Sequence, residues 1–425
     1  MPKVRVQSPG TPSEATLDSW KAIADYLHRT VRTVQRWEGQ QGLPVQRLHH
    51  NKLGSIFART DDLDDWVRSR VTPHAESGGQ RASFTREHSA DAEANRLYAM
   101  SRSQWNLQTP DGIMQSIELA RLAIKRDKDY ALAHAMLATC FMTLATYVPQ
   151  APEPLMEAAR LAATDALMID PNIASARTVL GAVHLTYDFD WSRAAGQLRA
   201  AIGLDPYDAL SHVLVGFLNL AAGDAERGLS ASRTAERLEP TSPLYASQTA
   251  WFMYFDRQFD AAVQQLQEVL GREPKFFRGY VNSAWALIAS GRVSEGLEMA
   301  EVAAALNPRY PTMIAILAHA CAAAGQQSRA RDLLESITRS GEYASHYYVG
   351  IALAALGDMD RAVEALSTAV ELREWLVILL RHDPALDPFR ADGRFDALVR
   401  RVGLPANIDD LVMKEGEQGV GGAGG

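Results

Sequence analysis

Pro171, Pro206, Pro240, Pro274 and Pro308 are spaced 35, 34, 34 and 34 residues apart, each closing an apolar helical stretch that ends in a form of Leu-Asp-Pro. A unit of that length holds two helices and a turn, and it can bury its apolar surface only by stacking on copies of itself. Small residues recur at fixed offsets from the prolines. Gly216, Ala250, Ala284, Ala318 and Gly350 fall where paired helices touch, and Gly223, Gly291, Gly325 and Gly357 open the turn between helices. Ala262, Ala330 and Ala362 come early in the second helix. Only small side chains at the crossings let two helices approach closely.

This period and these offsets are the signature of the tetratricopeptide repeat (TPR). Eight units run between about residues 91 and 373. The second carries about nine extra residues around YVPQAPEPL, the third has one extra in YDFDW, and the first has Lys128 in place of its proline. REWLVILLRHDPALDPFRADGRFDALVRRVGLP then reads as a helix, a DP-rich turn and an amphipathic capping helix that covers the last apolar surface. The array resembles a bacterial family of repeat regions attached to transcription regulators, adenylate cyclases and protein kinases. The residues that carry this are QWNLQTPDG, LTYDFDWSRA and WLVILLRHDPALDPFRADGRFDALVRRVGLP, and they span nearly all of 90–405. The resemblance implies the architecture, and that the attached N-terminal module sets the output.

That module holds the chain's one stretch with a definite chemistry, SWKAIADYLHRTVRTVQRWEGQQGLP (19–44). Trp20, Ile23, Ala24 and Leu27 share one helical face behind an Asp18-Ser19 cap. Thr30 caps a second helix in which Val31, Val34 and Trp37 face inward, and Gly42-Leu43-Pro44 stops it. Arg32 and Arg36 fall on the opposite face, flanked by Thr33 and Gln35. A helix fits the major groove, where a guanidinium fork matches guanine O6 and N7 and a glutamine pairs with adenine. Arg36 and Gln35 are the candidate base readers, and Thr33 and Arg32 suit a phosphate or a base edge. The bland alternative is a helical hairpin with a solvated basic face.

Val45–Leu48 and Ser55–Arg59 read as a β-hairpin around HHNKLG, and Thr60 caps TDDLDDWV with acidic residues in its first turn. Helix, turn, helix, wing and helix in this order resembles the winged DNA-binding domain of the MerR and excisionase-like group. The residues that match are WKAIADYL, RTVQRWE, GLPVQR, GSIFAR and DLDDW, although HRTV replaces the usual small or Gly-containing turn. The resemblance implies that the second helix enters the major groove, with Arg32, Thr33, Gln35 and Arg36 as readers. It makes Arg47, Lys52 and Arg59 wing contacts to double-stranded DNA.

Charge fits this division. The chain carries −8 overall, but residues 1–72 hold +3 and the remainder −11, and 19–59 holds 7 basic against 2 acidic residues. An acidic remainder confines DNA contact to the N-terminal module. Cys140 and Cys321 sit in Ala-rich helical patterns and read as small core residues in a reducing compartment. MPKVRVQSPG has no apolar signal core, and the two most apolar stretches, Ala131–Val148 and Met313–Ala324, fit soluble repeats. The expected location is cytoplasmic, with no membrane contact.

The fold class is therefore mainly α: a small winged helix-turn-helix domain linked to an α-solenoid of tetratricopeptide helix pairs. The expected organisation is a disordered 1–15, the winged domain at 16–70, a flexible linker at 71–90, the superhelix with its cap at 91–410 and a disordered Gly-rich tail at 411–425. Phe217, Trp251, Trp285 and His319 are 34 residues apart, and Tyr254 lies three beyond Trp251. Two readings are open for them: a ladder lining a concave groove that takes an apolar or aromatic protein or peptide segment, or core packing between repeats. There is no phosphate loop, HExxH or Cys-His cluster with metal spacing. His49-His50 reads as a solvated turn, and no residue merits a catalytic role. No cofactor is expected. The functional expectation is a bacterial DNA-binding transcriptional regulator whose repeats sense or recruit a partner or effector, possible as a homodimer because one module makes few contacts. Its alternatives are a non-catalytic scaffold whose winged domain no longer reads DNA, and an excisionase-type recombination accessory factor.

Overall fold

Ser19 begins the first helix because its side chain accepts a hydrogen bond from the Ala22 amide at 3.1 Å, satisfying an end group the helix leaves open. The computed structural model describes residues 16–27, 31–48, 55–71, 89–146, 150–308 and 310–405. It divides into two units, Met1–Gln80 and Arg81–Gly425.

In the first unit, strand β1 (Thr16–Leu17) precedes α1 (Trp20–Tyr26) and α2 (Val31–Gln41). β2 (Gln46–Leu48), β3 (Ser55–Arg59) and α3 (Thr60–Val71) follow. The three strands form an antiparallel sheet in the order β1-β3-β2, with Thr16 opposite Arg59 and Arg47 opposite Ile56. Ile23, Ala24, Val34, Trp37, Leu43, Ile56, Ala58 and Leu63 are buried, and Trp37 packs on Trp66 at 5.7 Å between ring centroids. Gly42 takes a φ of +68°, which ends α2 where the sequence places the stop. The expected turn at 28–30, with its Thr30 cap, and the hairpin tip at 49–54 lie outside the described residues.

The second unit is a tetratricopeptide-like α-solenoid of eight helix pairs among the described residues. α4 (Ala92–Asn106) pairs with α5 (Pro110–Arg126), α6 (Ala131–Leu144) with α7 (Glu153–Ile169), and α8 (Ala174–Val183) with α9 (Trp191–Leu204). α10 (Ala209–Ala221) pairs with α11 (Ala225–Leu238), and α12 (Pro243–Phe255) with α13 (Phe259–Arg272). α14 (Phe277–Ala289) and α15 (Val293–Leu306) form the sixth pair, α16 (Pro311–Ala323) and α17 (Gln327–Ser340) the seventh, α18 (His346–Ala355) and α19 (Met359–Glu371) the eighth. At Gly350 an added Cβ would stand 2.7 Å from Leu366, so the crossing requires glycine. The third repeat's extra residue is absorbed in a π-turn, His184–Asp188, at the end of α8. Wider helical turns take up single-residue insertions in this way.

After α19 an amphipathic final helix lies against the last helix of the array, where the sequence reading expects a cap, but the element before it is a 310 turn and not an α-helix. The segment runs as two 310 turns, Trp375–Leu379 and Pro384–Phe389, which reach α10, α14 and α18, and then α20 (Gly393–Val402), which packs on α19. Residues 374–404 thus form a strap through the interior of the solenoid. The array also touches itself across a long span: the Arg278 guanidinium and the Tyr310 hydroxyl both donate to Thr146, to its Oγ1 at 2.8 Å and its carbonyl at 3.1 Å.

Candidate functional site

On α2, Arg32, Gln35 and Gly39 are exposed at spacings of three and four, which places them on one helical face, while Val34 and Trp37 are buried on the other. Arg36 is half-buried rather than fully on the solvent face. Of the expected wing residues, Arg47 faces solvent but is engaged, its Nη2 lying 2.9 Å from Glu38 Oε1 on α2. Arg59, on the central strand β3, is half-buried. The Thr33 side chain and the whole of Lys52 lie outside the described residues. An exposed ion pair such as Arg47–Glu38 contributes little, about 0.2–1 kcal/mol, so a phosphate can compete for that arginine.

In the second unit the expected groove residues are core. Phe217, Trp251, Tyr254, Trp285 and His319 are all under a tenth exposed, which corrects the groove reading in favour of packing between repeats. Trp375 of the strap meets Phe217 at 5.6 Å and Trp251 at 5.5 Å, both edge-on. Farther along, Tyr348, Trp285 and His319 stack as three rings, at 5.7 and 4.6 Å with interplanar angles of 23° and 25°. Burial pushes the His319 imidazole down to about 4, so it is neutral near pH 7, and its Nδ1 has no hydrogen-bond partner among the described residues.

The strap is held by charge as well as by apolar contact. Asp383 is buried and accepts hydrogen bonds from the Tyr254 hydroxyl (2.8 Å), the Tyr347 hydroxyl (2.9 Å) and the Ala385 amide (2.9 Å). Desolvation raises its pKa, against those hydrogen bonds, and desolvation and the neighbouring carboxylate raise both tyrosines. Glu374 accepts from the Tyr343 and Ser345 hydroxyls, the His346 and Tyr347 amides and the His346 ring. Burial alone would raise its pKa, but these donors hold it below the usual carboxylate range. At the far end the Trp191 indole donates to the Gly403 carbonyl at 2.8 Å.

Leu376, Val377, Ile378, Leu379, Leu380, Leu386 and Phe389 are buried. At roughly 1.5–3 kcal/mol per buried side chain, these seven contribute on the order of 10–20 kcal/mol before the conformational entropy of ordering the strap is subtracted. The strap is part of the core and not a detachable lid.

Two spaces remain. An open trough is bordered by Tyr98, Arg102, Trp105, Tyr207, Tyr245 and Phe276, and Tyr207 is 77% exposed. Its charged lining is mainly acidic, with Asp205, Asp208 and Glu239 against Arg102. A smaller chamber lies between the strap and the inner ends of α12, α14, α16 and α18. No group of three or more metal-ligating side chains occurs among the described residues, and no helix among them is long and apolar enough to cross a membrane.

No family model and no curated protein matches the chain. Among solved structures it is similar to TTC0263, a thermophilic TPR protein of Thermus thermophilus, at 20% identity over 46% of this chain and 98% of that one, with a TM-score of 0.38. It is similar to yeast Tom70 at 14% identity over 87% of this chain and 75% of that one, with a TM-score of 0.42. YrrB, a TPR protein with an unusual peptide-binding site, is 17% identical over 45% of this chain and 93% of its own, with a TM-score of 0.30.

Proposed function

We propose that the chain is a non-catalytic interaction protein whose solenoid engages a protein segment along the open trough, not along the filled interior. The observation that carries this is Tyr207, a large aromatic side chain 77% exposed on a border that also presents Leu107 and Leu204 to solvent. Solvent-facing aromatic and aliphatic side chains along a concave surface are the usual anchors of a bound segment. The acidic lining favours a segment with basic as well as apolar side chains. A photo-crosslinking residue placed at Tyr207, with one at Leu161 as control, tests it in cells: the reading requires a discrete protein adduct at Tyr207 that Leu161 does not give. Identical or absent adducts at both positions would overturn it.

A second reading is supported by the exposed row Arg32, Gln35 and Gly39: the first unit contacts double-stranded DNA through α2, which would make the protein a DNA-bound regulator. Its test is fluorescence anisotropy on the upstream region of its own gene and on random DNA at several salt concentrations. Arg32→Ala/Arg36→Ala should remove binding, and the intact protein should show a steep salt dependence. Binding that is indifferent to both arginines would leave the pure scaffold.

A further inference from the structure

We propose that the chamber between the strap and the repeats is a binding site for a small uncharged aromatic amide. This rests on the geometry of the solenoid interior and is independent of both readings above.

Part of the wall comes from two places where the chain departs from its regular repeat. The connection between α6 and α7 supplies Thr146, Gln150 and Pro152, and the strap supplies Trp375. Trp251 of α12 and Tyr348 of α18 join Trp375 around the same space. Three aromatic side chains facing a common space favour a flat, apolar body between them. Size sets the next limit. The room for the centres of water-sized spheres is about 90 Å³, and by that measure one water needs roughly 10–15 Å³, so the chamber takes roughly six to nine water-sized groups. That is a single ring with one substituent.

Hydrogen bonding chooses the substituent. The two charged side chains of the described lining are both engaged: Glu374 is enclosed by five donors, and Arg278 is held by partners of its own, Thr146 Oγ1 among them. The groups left open are neutral. The Gln248 carboxamide, three residues before Trp251 on α12, has no hydrogen-bond partner among the described residues, and neither has the Tyr348 hydroxyl. Burial raises the Tyr348 pKa, so near pH 7 that hydroxyl keeps its proton to donate. Asn282 commits its Nδ2 to Ser247, donating to the carbonyl at 3.2 Å and to Oγ at 3.0 Å, and keeps Oδ1 as an acceptor. A side-chain amide pairs through two bonds at once with a planar edge that sets a donor beside an acceptor, as Gln does with adenine. A carboxamide on the ring presents such an edge. A carboxylate presents acceptors only and would bring its charge out of water. A benzamide-sized molecule, ring against the aromatic walls and amide toward Gln248, satisfies size, shape and hydrogen bonding together.

The test uses the full chain and three probes that share one ring: benzamide, benzoate and acetophenone, which keeps the carbonyl and has no N–H. Binding is followed by calorimetry and ligand-observed NMR. Benzamide should bind saturably at millimolar concentration, and benzoate at least about tenfold more weakly. Gln248→Met keeps the length of the side chain and removes its amide. In that variant the ratio of benzamide to acetophenone affinity should fall at least about threefold, the worth of a hydrogen bond that only benzamide donates. No saturable benzamide binding, benzoate binding as tight as benzamide, or an affinity ratio unchanged in Gln248→Met would each overturn the proposal. If Gln248→Met does not fold, benzamide against benzoate on the unaltered chain decides alone.

Discussion

Arg257 and Asp387, 130 residues apart, form a two-pronged ion pair at 2.6 and 2.8 Å that ties the fifth repeat to the strap. Arg257 occupies the inter-helix turn where neighbouring repeats carry Gly223 and Gly291, and it adopts the same left-handed backbone, with φ +60°. A side chain there costs roughly 1–2 kcal/mol, whereas a pair about half exposed contributes about 0.2–1 kcal/mol. Arg257→Gly should therefore be neutral or slightly stabilising, and Arg257→Ala, which keeps the strain and loses the pair, should be less stable than Arg257→Gly by about 1 kcal/mol. Paired denaturant titrations check the order.

Asp383 gathers two buried tyrosine hydroxyls from α12 and α18 onto one strap carboxylate. Asp383→Ala would leave both hydroxyls buried without that acceptor, at about 1–3 kcal/mol each. A loss of several kcal/mol is expected by chemical denaturation. Asp383→Asn keeps an acceptor and a shape of similar volume and should lose less than half as much.

Acid should weaken the fold before ordinary carboxylates protonate. Burial lowers His319 and His382 to about 4, below the ordinary 6.5. In that interval the unfolded chain binds protons that the folded chain does not. Stability is thus complete above about pH 6.5 and falls as the pH drops toward 4. His319→Phe keeps a ring to stack on Trp285 and removes one titrating group. Its Tm should fall less steeply between pH 6.5 and 5 than that of the unaltered protein.

Trp375→Ala should cost less than the about 3–5 kcal/mol lost when a large aromatic leaves a packed core, because Trp375 is half-buried. Ending the chain at Arg373 should abolish cooperative unfolding of the solenoid, because Leu376–Leu380 fill its interior. Cooperative melting of that truncated chain at an unchanged Tm would contradict the core role assigned to the strap.

The sequence made the repeats legible because their constraint is local and recurs: a proline every 34 residues, a small residue at each crossing, a left-handed turn at each Gly. The extra residue in YDFDW was visible as a 35-residue interval, and the π-turn is its structural form. The face of the Trp251 and Trp285 ladder could not be read, since the same spacing serves a groove and a core. The strap's path depends on pairs such as Trp191–Gly403, 212 residues apart, and these leave no period. One signal did point there. WLVILL is six apolar residues in a row, too many for the single buried stripe of a surface helix, and a run of that kind reports burial on all sides. In the first unit, the buried set Ile23, Val34 and Trp37 followed directly from helical spacing. Arg36 proved half-buried because its position lies toward the edge of the exposed arc, which is centred nearer Arg32 and Gly39.

A strap that fills the middle of the solenoid is also made after the walls around it. As the chain leaves the ribosome, all eight helix pairs emerge before residues 374–404 are available to join them. An open solenoid can consolidate repeat by repeat, but this one must hold Phe217 and Trp251 incompletely covered until Trp375 and the rest of the strap are translated. Its period of exposure to aggregation and to chaperones therefore extends until residues 374–404 have been made.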